Sequence, residues 1–155
     1  MGAGLREWGS GEVRVEGVSL MGADDEPRVH FVSGEPVTIV LQLVGERPVA
    51  APVLSLEVRD GDGSLLGADQ QNVGELGWDG APGERELRFL LEKLPLGEGE
   101  FQVSVALTDA AGTRQYHRVD GAVHFAVQSS DHARGAVLLD GEWSLADVSN
   151  RVEAG

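Results

Sequence analysis

Asp69, Gln70, Gln71 and Asn72 form an unbroken run of carboxylate and amide side chains, and Trp78 and Asp79 follow shortly after. Planar groups of this kind exchange paired hydrogen bonds with sugar hydroxyls, and an indole face packs against the C–H face of a pyranose ring. Residues 73–84 read VGELGWDGAPGE and carry no apolar periodicity that would bury the indole. Trp78 is therefore a candidate stacking platform, with Gln70, Gln71, Asn72 and Asp79 as hydrogen-bond partners. The competing reading makes Trp78 a plug at one end of a hydrophobic core. The sequence leaves both open.

Other chemistries find no support in the motifs. A phosphate-binding loop needs Gly-x-x-x-x-Gly-Lys-Ser/Thr, and the one lysine lies in Glu92-Lys93-Leu94. His30, His117, His124 and His132 form no His-Glu-x-x-His pair, and cysteine is absent, so neither a zinc set nor thiolate chemistry is expected. Asp60-Gly-Asp-Gly63 resembles the start of a calcium loop, but Gln71 stands where the bidentate Glu belongs. A hairpin turn is the simpler reading. No Gly-x-Ser-x-Gly elbow occurs. No catalytic constellation, cofactor or metal is expected, which points to binding rather than turnover.

The elements that must position such a site are strands. Phe101, Val103, Val105 and Leu107 alternate with Gln102, Ser104, Ala106 and Thr108, the pattern of a strand with one face in a core. Val37, Ile39, Leu41 and Leu43 repeat it, as do Leu54, Leu56 and Val58, then Leu87, Phe89 and Leu91, then Val119, Gly121, Val123, Phe125 and Val127. His124 falls opposite that last apolar phase, on an exposed position. Val13 and Val15 share one phase, Val18 and Leu20 the other, so a β-bulge is predicted at Glu16-Gly17. Residues 28–32 make a short strand. After the Asp60-Gly-Asp-Gly63 hairpin, residues 64–68 return as a strand and residues 69–84 form a long loop. A polar hinge over 129–135 leads to a last strand over 136–144 that contains Trp143.

These segments amount to about eight or nine strands with 22 Gly and 6 Pro between them and no helix of ordinary length. The physical solution is an all-β fold, an immunoglobulin-like or jelly-roll antiparallel β-sandwich. Residues 1–11 read as an N-terminal linker, 12–144 as the sandwich and 145–155 as a C-terminal tail. With 12 Lys and Arg against 26 Asp and Glu, the formal charge of −14 repels phosphate backbones, so nucleic acid is excluded as a partner. No apolar run approaches the length of a bilayer span, and no signal peptide is read at the start.

Several stretches resemble one family in wording, order and spacing. They are Arg6-Glu-Trp-Gly-Ser-Gly-Glu12 with Val13-Arg-Val-Glu-Gly-Val18, Phe31-Val-Ser-Gly-Glu-Pro36, Arg59-Asp-Gly-Asp-Gly63, Ala68-Asp-Gln-Gln-Asn72, Leu94-Pro-Leu-Gly-Glu-Gly-Glu-Phe101, and residues 116–127 ending His-Phe-Ala-Val. The chain resembles, from about Trp8 to Trp143, the C-terminal carbohydrate-binding domain of the ATP-binding subunit of O-antigen-type polysaccharide ABC exporters, the Wzt type. It departs from the family in having Phe101 where Tyr is frequent and no Thr after Asn72. The resemblance implies non-catalytic recognition of a lipid-linked cell-surface polysaccharide. It implies partnership with ATP-binding and transmembrane exporter subunits, and a cytoplasmic place at the inner face of the membrane. It also implies a homodimer, in some members by exchange of the C-terminal strand. The alternative is a structural or protein-interaction Ig-like domain of a larger protein, without a sugar site of its own.

Overall fold

The computed structural model describes residues 6–129, 136–139 and 141–146. Nine strands occur among them: β1 (Arg6–Trp8), β2 (Val13–Met21), β3 (His30–Val32), β4 (Val37–Gly45), β5 (Val53–Asp60), β6 (Leu65–Asn72), β7 (Gly83–Leu91), β8 (Gly99–Thr108) and β9 (Gln115–Gln128). A six-stranded sheet runs β1-β9-β8-β5-β6, with β3 also paired to β9. A three-stranded sheet runs β2-β4-β7. All pairings between these strands are antiparallel except β3 with β9. The expected sandwich is the observed fold, and no helix among the described residues is long and apolar enough to cross a membrane.

The apolar phases meet between the sheets. Val37, Ile39, Leu41 and Leu43 from β4 lie buried with Leu54 and Leu56 from β5 and with Phe101, Val103, Val105 and Leu107 from β8. Phe125 of β9 packs on Phe101 at a centroid distance of 5.6 Å and meets Phe31 edge-on at 6.3 Å. The bulge expected in β2 is present as a register shift between Val15 and Gly17. It reverses the phase of the strand, so that Val15 and Leu20 are both buried.

A second bulge shapes β9. The β8–β9 register jumps between Val103↔Val123 and Val105↔Val119, leaving Asp120, Gly121 and Ala122 opposite Ser104. Gly121 sits at φ +63°, a left-handed conformation that costs glycine little. Its N–H donates to Ser104 Oγ at 2.9 Å in place of a ladder bond. Ser104 is thus fully buried although it lies on the polar phase of β8.

Three segments differ from the sequence reading. Residues 69–72, expected in a loop, complete β6 and pair with β5 from Leu56↔Asp69 to Val53↔Asn72. Their alternation is hidden because β6 is a sheet edge, and polar residues suit both of its faces. Residues 6–8, within the stretch read as a linker, add to β9 as β1. Residues 136–139 and 141–146 hold no strand. Val137 makes an isolated antiparallel bridge to Leu96, supported by Gly97 N–H to Ala136 O at 3.1 Å and Leu138 N–H to Pro95 O at 2.9 Å. Leu139, Trp143 and Leu145 are exposed. A strand needs an edge to pair with, and this segment meets one only at Leu96. Of the expected hinge over 129–135, only Ser129 lies within the described residues.

Candidate functional site

The residues singled out around Trp78 do not converge. Trp78 is 6 % exposed and belongs to the core cluster. Its Nε1–H donates to Ala81 O at 2.9 Å, and the Arg85 guanidinium stands 5.3 Å from the ring centroid. The indole closes one end of the sandwich and offers no open platform, which corrects the expectation of a sugar stacked on it. The neighbouring polar groups serve the local chain. Asn72 Oδ1 accepts from Gly74 N–H at 2.8 Å and caps the short 3-10 turn over Val73–Leu76. Asp79 Oδ1 accepts from Ala81 N–H at 3.0 Å. Gln71 Nε2 donates to Asn72 O at 3.0 Å and to Glu75 Oε1 at 3.3 Å. Gln71 is paired with Leu54, on the inner face of β6, while Gln70 is paired with Ser55 on the outer face and reaches its Oγ at 3.3 Å.

That outer face of the six-stranded sheet gathers the polar groups that do converge. Register places Trp8 of β1 beside Arg118 of β9, and Arg118 beside Ala106 of β8. Ala106 pairs in turn with Ser55 of β5, and Ser55 with Gln70 of β6. A second row runs from Arg6 and Asp120 past Ser104 to Glu57 and Ala68, and a third from His124 to Gln102 and Arg59. Small side chains, Ser104, Ala106 and Ser55, hold the middle. Trp8 at the rim is 46 % exposed.

Arg118, Glu57, Asp120 and Arg59 on this face are locked to one another. Arg118 donates from Nη2 to Glu57 Oε1 and from Nε to Asp120 Oδ1, each at 2.8 Å. Arg59 donates to the same Glu57 oxygen from Nε at 3.0 Å and Nη2 at 2.8 Å, and from Nη1 to Gly63 O at 2.8 Å. Burial works against the charge on Glu57, but hydrogen bonds from Arg118 and Arg59 outweigh it and hold the carboxyl below its ordinary range. Burial likewise opposes the charge on Arg118, and Glu57 more than restores it. Gln102 Nε2 donates to Asp60 O at 3.2 Å. The result is a strand-borne polar surface whose side chains are positioned before any ligand arrives.

Two hollows flank this face. A polar bowl of about 470 Å³ lies at one end, lined by His30, His124, Asp62 and Glu100. An apolar cleft of about 340 Å³ opens between β6 and β7, where the sheets have free edges, and Leu66, Phe89, Leu96 and Val137 line it. Among the described residues no cluster of three His, Asp or Glu side chains could hold a metal ion.

The tryptophan singled out in the sequence, Trp78, is buried, and the outer face of the six-stranded sheet carries Trp8. Trp8 lies in the three-residue strand Arg6–Trp8, too short for alternation to show. The outer-face phase of Gln102, Ser104, Thr108 and His124 was legible, but the Arg118–Glu57 pairing joins residues 61 apart and depends on strand order.

The family model of the Wzt C-terminal domain matches residues 5–139. Among solved structures, the chain superposes on one described as the C-terminal domain of wzt with a TM-score of 0.80 at 15% identity, covering 94% of this chain and 90% of that one. A Niemann-Pick type C2 protein from the Japanese carpenter ant follows at TM-score 0.54 and 7% identity, over 81% of this chain and 98% of that one. A β-glucuronidase of Bacteroides uniformis matches at TM-score 0.51 and 13% identity, over 70% of this chain and 14% of that one. At these identities the superpositions speak for the fold. No curated protein sequence matches.

Proposed function

The chain belongs to the Wzt C-terminal domain family, and from that membership we propose that it is the glycan-recognising module of a polysaccharide ABC exporter, binding its cargo on the outer face of the six-stranded sheet. The family supports a non-catalytic carbohydrate-binding role in an exporter. The cargo is a lipid-linked, O-antigen-like polysaccharide, presented at the inner face of the membrane to a domain that acts beside ATP-binding and transmembrane subunits. The observation that carries the choice of face is the exposed Trp8 ring beside the Arg118–Glu57–Asp120 network. It sets an aromatic platform next to fixed carboxylates and amides, the combination a pyranose requires.

The test is binding of the 155-residue chain to the lipopolysaccharide glycan of its own source. Trp8→Ala is expected to weaken binding about tenfold, the equivalent of one lost stacking contact of roughly 1.4 kcal/mol. Unchanged binding by Trp8→Ala together with loss of binding on substitution of Gln71 or Asp79 would return the site to residues 69–79.

The same reading includes assembly as a homodimer through the C-terminal segment. Leu139, Trp143 and Leu145 expose apolar surface that a second copy would cover. Exchange of that segment between subunits would give it the partner edge it lacks within one chain.

A further inference from the structure

We infer that the cleft between β6 and β7 is a binding site for a single hydrocarbon chain, the tail of a neutral long-chain alcohol. The site lies between the sheets and does not rest on the glycan-binding reading of the outer face. β6 and β7 end their respective sheets, so the sandwich is open along this side. The inner positions of β7 are Leu87, Phe89 and Leu91, paired with the buried Leu41, Ile39 and Val37 of β4. The inner positions of β6 are Gly67, Asp69 and Gln71, paired with Val58, Leu56 and Leu54 of β5. None of these three brings an apolar side chain to close the gap. Leu87, Phe89 and Leu91 therefore pack on the core yet stay only partly buried.

The opening is deep rather than flat. The 340 Å³ cleft reaches Leu20 of β2 and Phe125 of β9, so its floor belongs to both sheets. A second hollow of about 140 Å³ continues it along the strands, and the two share Leu56, Asp69 and Phe89. An apolar cavity of about 150 Å³ already stays dry and takes up benzene. A trench this long and free of polar groups on its floor suits a chain, not a sugar ring, whose hydroxyls would go unpaired. Polar groups stand at the rim. Asp69 is the one polar side chain lining the larger hollow, and Gln70, Gln71 and Arg88 join it at the smaller. Arg88 is tied by Nε to Glu86 at 2.8 Å. The Asp69 carboxylate is exposed on the inner side, where it would accept from a hydroxyl at the end of the chain and repel an anionic head. Of the described residues beyond β9 only Val137 lines the trench, and it is 59 % exposed, so the chain leaves the space open.

The experiment uses the full chain with phenylnaphthylamine, a neutral dye that emits in apolar surroundings, displaced by straight-chain alcohols from butanol to dodecanol. The dye is expected to bind. Each added methylene should tighten displacement roughly fourfold until the trench is full, where the series levels off. At neutral pH decanol should displace better than decanoate, and Asp69→Asn should narrow the difference. Gly67→Trp puts an indole in the mouth of the trench, since Gly67 stands opposite Val58 and a Cβ built there meets nothing within 4 Å. It should weaken dye and decanol roughly tenfold with an unchanged melting curve. Gly67→Leu takes its place if the indole lowers the melting temperature. No bound dye, a series that ignores chain length, affinity intact in both Gly67 variants, or a preference for decanoate overturns the inference. A native chain that binds no dye but changes from dimer to monomer in Gly67→Trp also overturns it, and makes the trench a contact between copies.

Discussion

His117 Nδ1 accepts the backbone N–H of Val15 at 2.9 Å, a hydrogen bond that ties β9 of one sheet to β2 of the other. Val15 stands at the start of the β2 bulge, in an edge strand of its sheet, and the imidazole supplies its N–H with a partner from across the core. The ring is 6 % exposed, with Glu7 Oε1 lying 3.6 Å from Nε2.

That bond makes stability depend on pH in a defined direction. Burial pushes the His117 pKa below its ordinary 6.5, against the smaller pull of Glu7 and with the help of Arg14. The unfolded chain therefore takes up the proton at a higher pH than the folded one. The stabilisation is complete above pH 6.5 and is lost as pH falls from there through the folded value. Protonation at Nδ1 also removes the acceptor for Val15 N–H. Melting temperatures measured across this range should fall with pH in the native chain, and His117→Gln should flatten that slope. An equal slope in both proteins would refute the assignment.

Phe101 is 3 % exposed and packed on Phe125. Phe101→Ala should destabilise the fold by roughly 3–5 kcal/mol, the usual cost of emptying a buried aromatic site. Chemical denaturation measures it directly, and a change below about 1 kcal/mol would contradict its place between the sheets.

Trp78 and Trp8 should behave oppositely. Trp78→Ala opens a cavity at the end of the core and should cost roughly 3–5 kcal/mol of stability. Trp8→Ala touches an exposed edge strand and should stay within about 0.5 kcal/mol of the native chain. Paired denaturation curves decide it; equal losses would mean that the two indoles share a structural role.

Ser104→Ala removes the acceptor for the N–H of Gly121 without altering the backbone. A buried donor left unpaired costs about 1–3 kcal/mol, so a loss of that size is expected. Ser104→Thr keeps the hydroxyl and separates this effect from crowding at a fully buried position. If the alanine variant is as stable as the native chain, the bulge does not depend on that bond.

The exposed Leu139, Trp143 and Leu145 lead to an expected association state. The full chain should scatter light as a dimer, and a chain ending at Ser130 as a monomer. Equal masses for the two would remove the C-terminal segment from any interface.

Alternation in β4, β5, β7, β8 and the second half of β9 was enough to read a sandwich, because each of these strands has one face in the core and period two records that face residue by residue. The β2 bulge was legible for the same reason, as a slip of phase at Gly17. Residues 69–72 were not legible as a strand, since an edge strand rich in Asp, Gln and Asn shows no apolar face even when it is paired. The candidate site failed on the sequence at Trp78, because the local stretch has no apolar pattern while the core that covers the ring comes from distant strands, β4 among them, where a Cβ added at Gly45 would lie 3.4 Å from the indole. Sequence determined the core-facing strands, their phases and the family. Only the order β1-β9-β8-β5-β6 decided which polar residues share a surface, since Trp8, Arg118, Glu57 and Gln70 come from four different strands and are brought together by hydrogen-bonded register rather than by spacing along the chain.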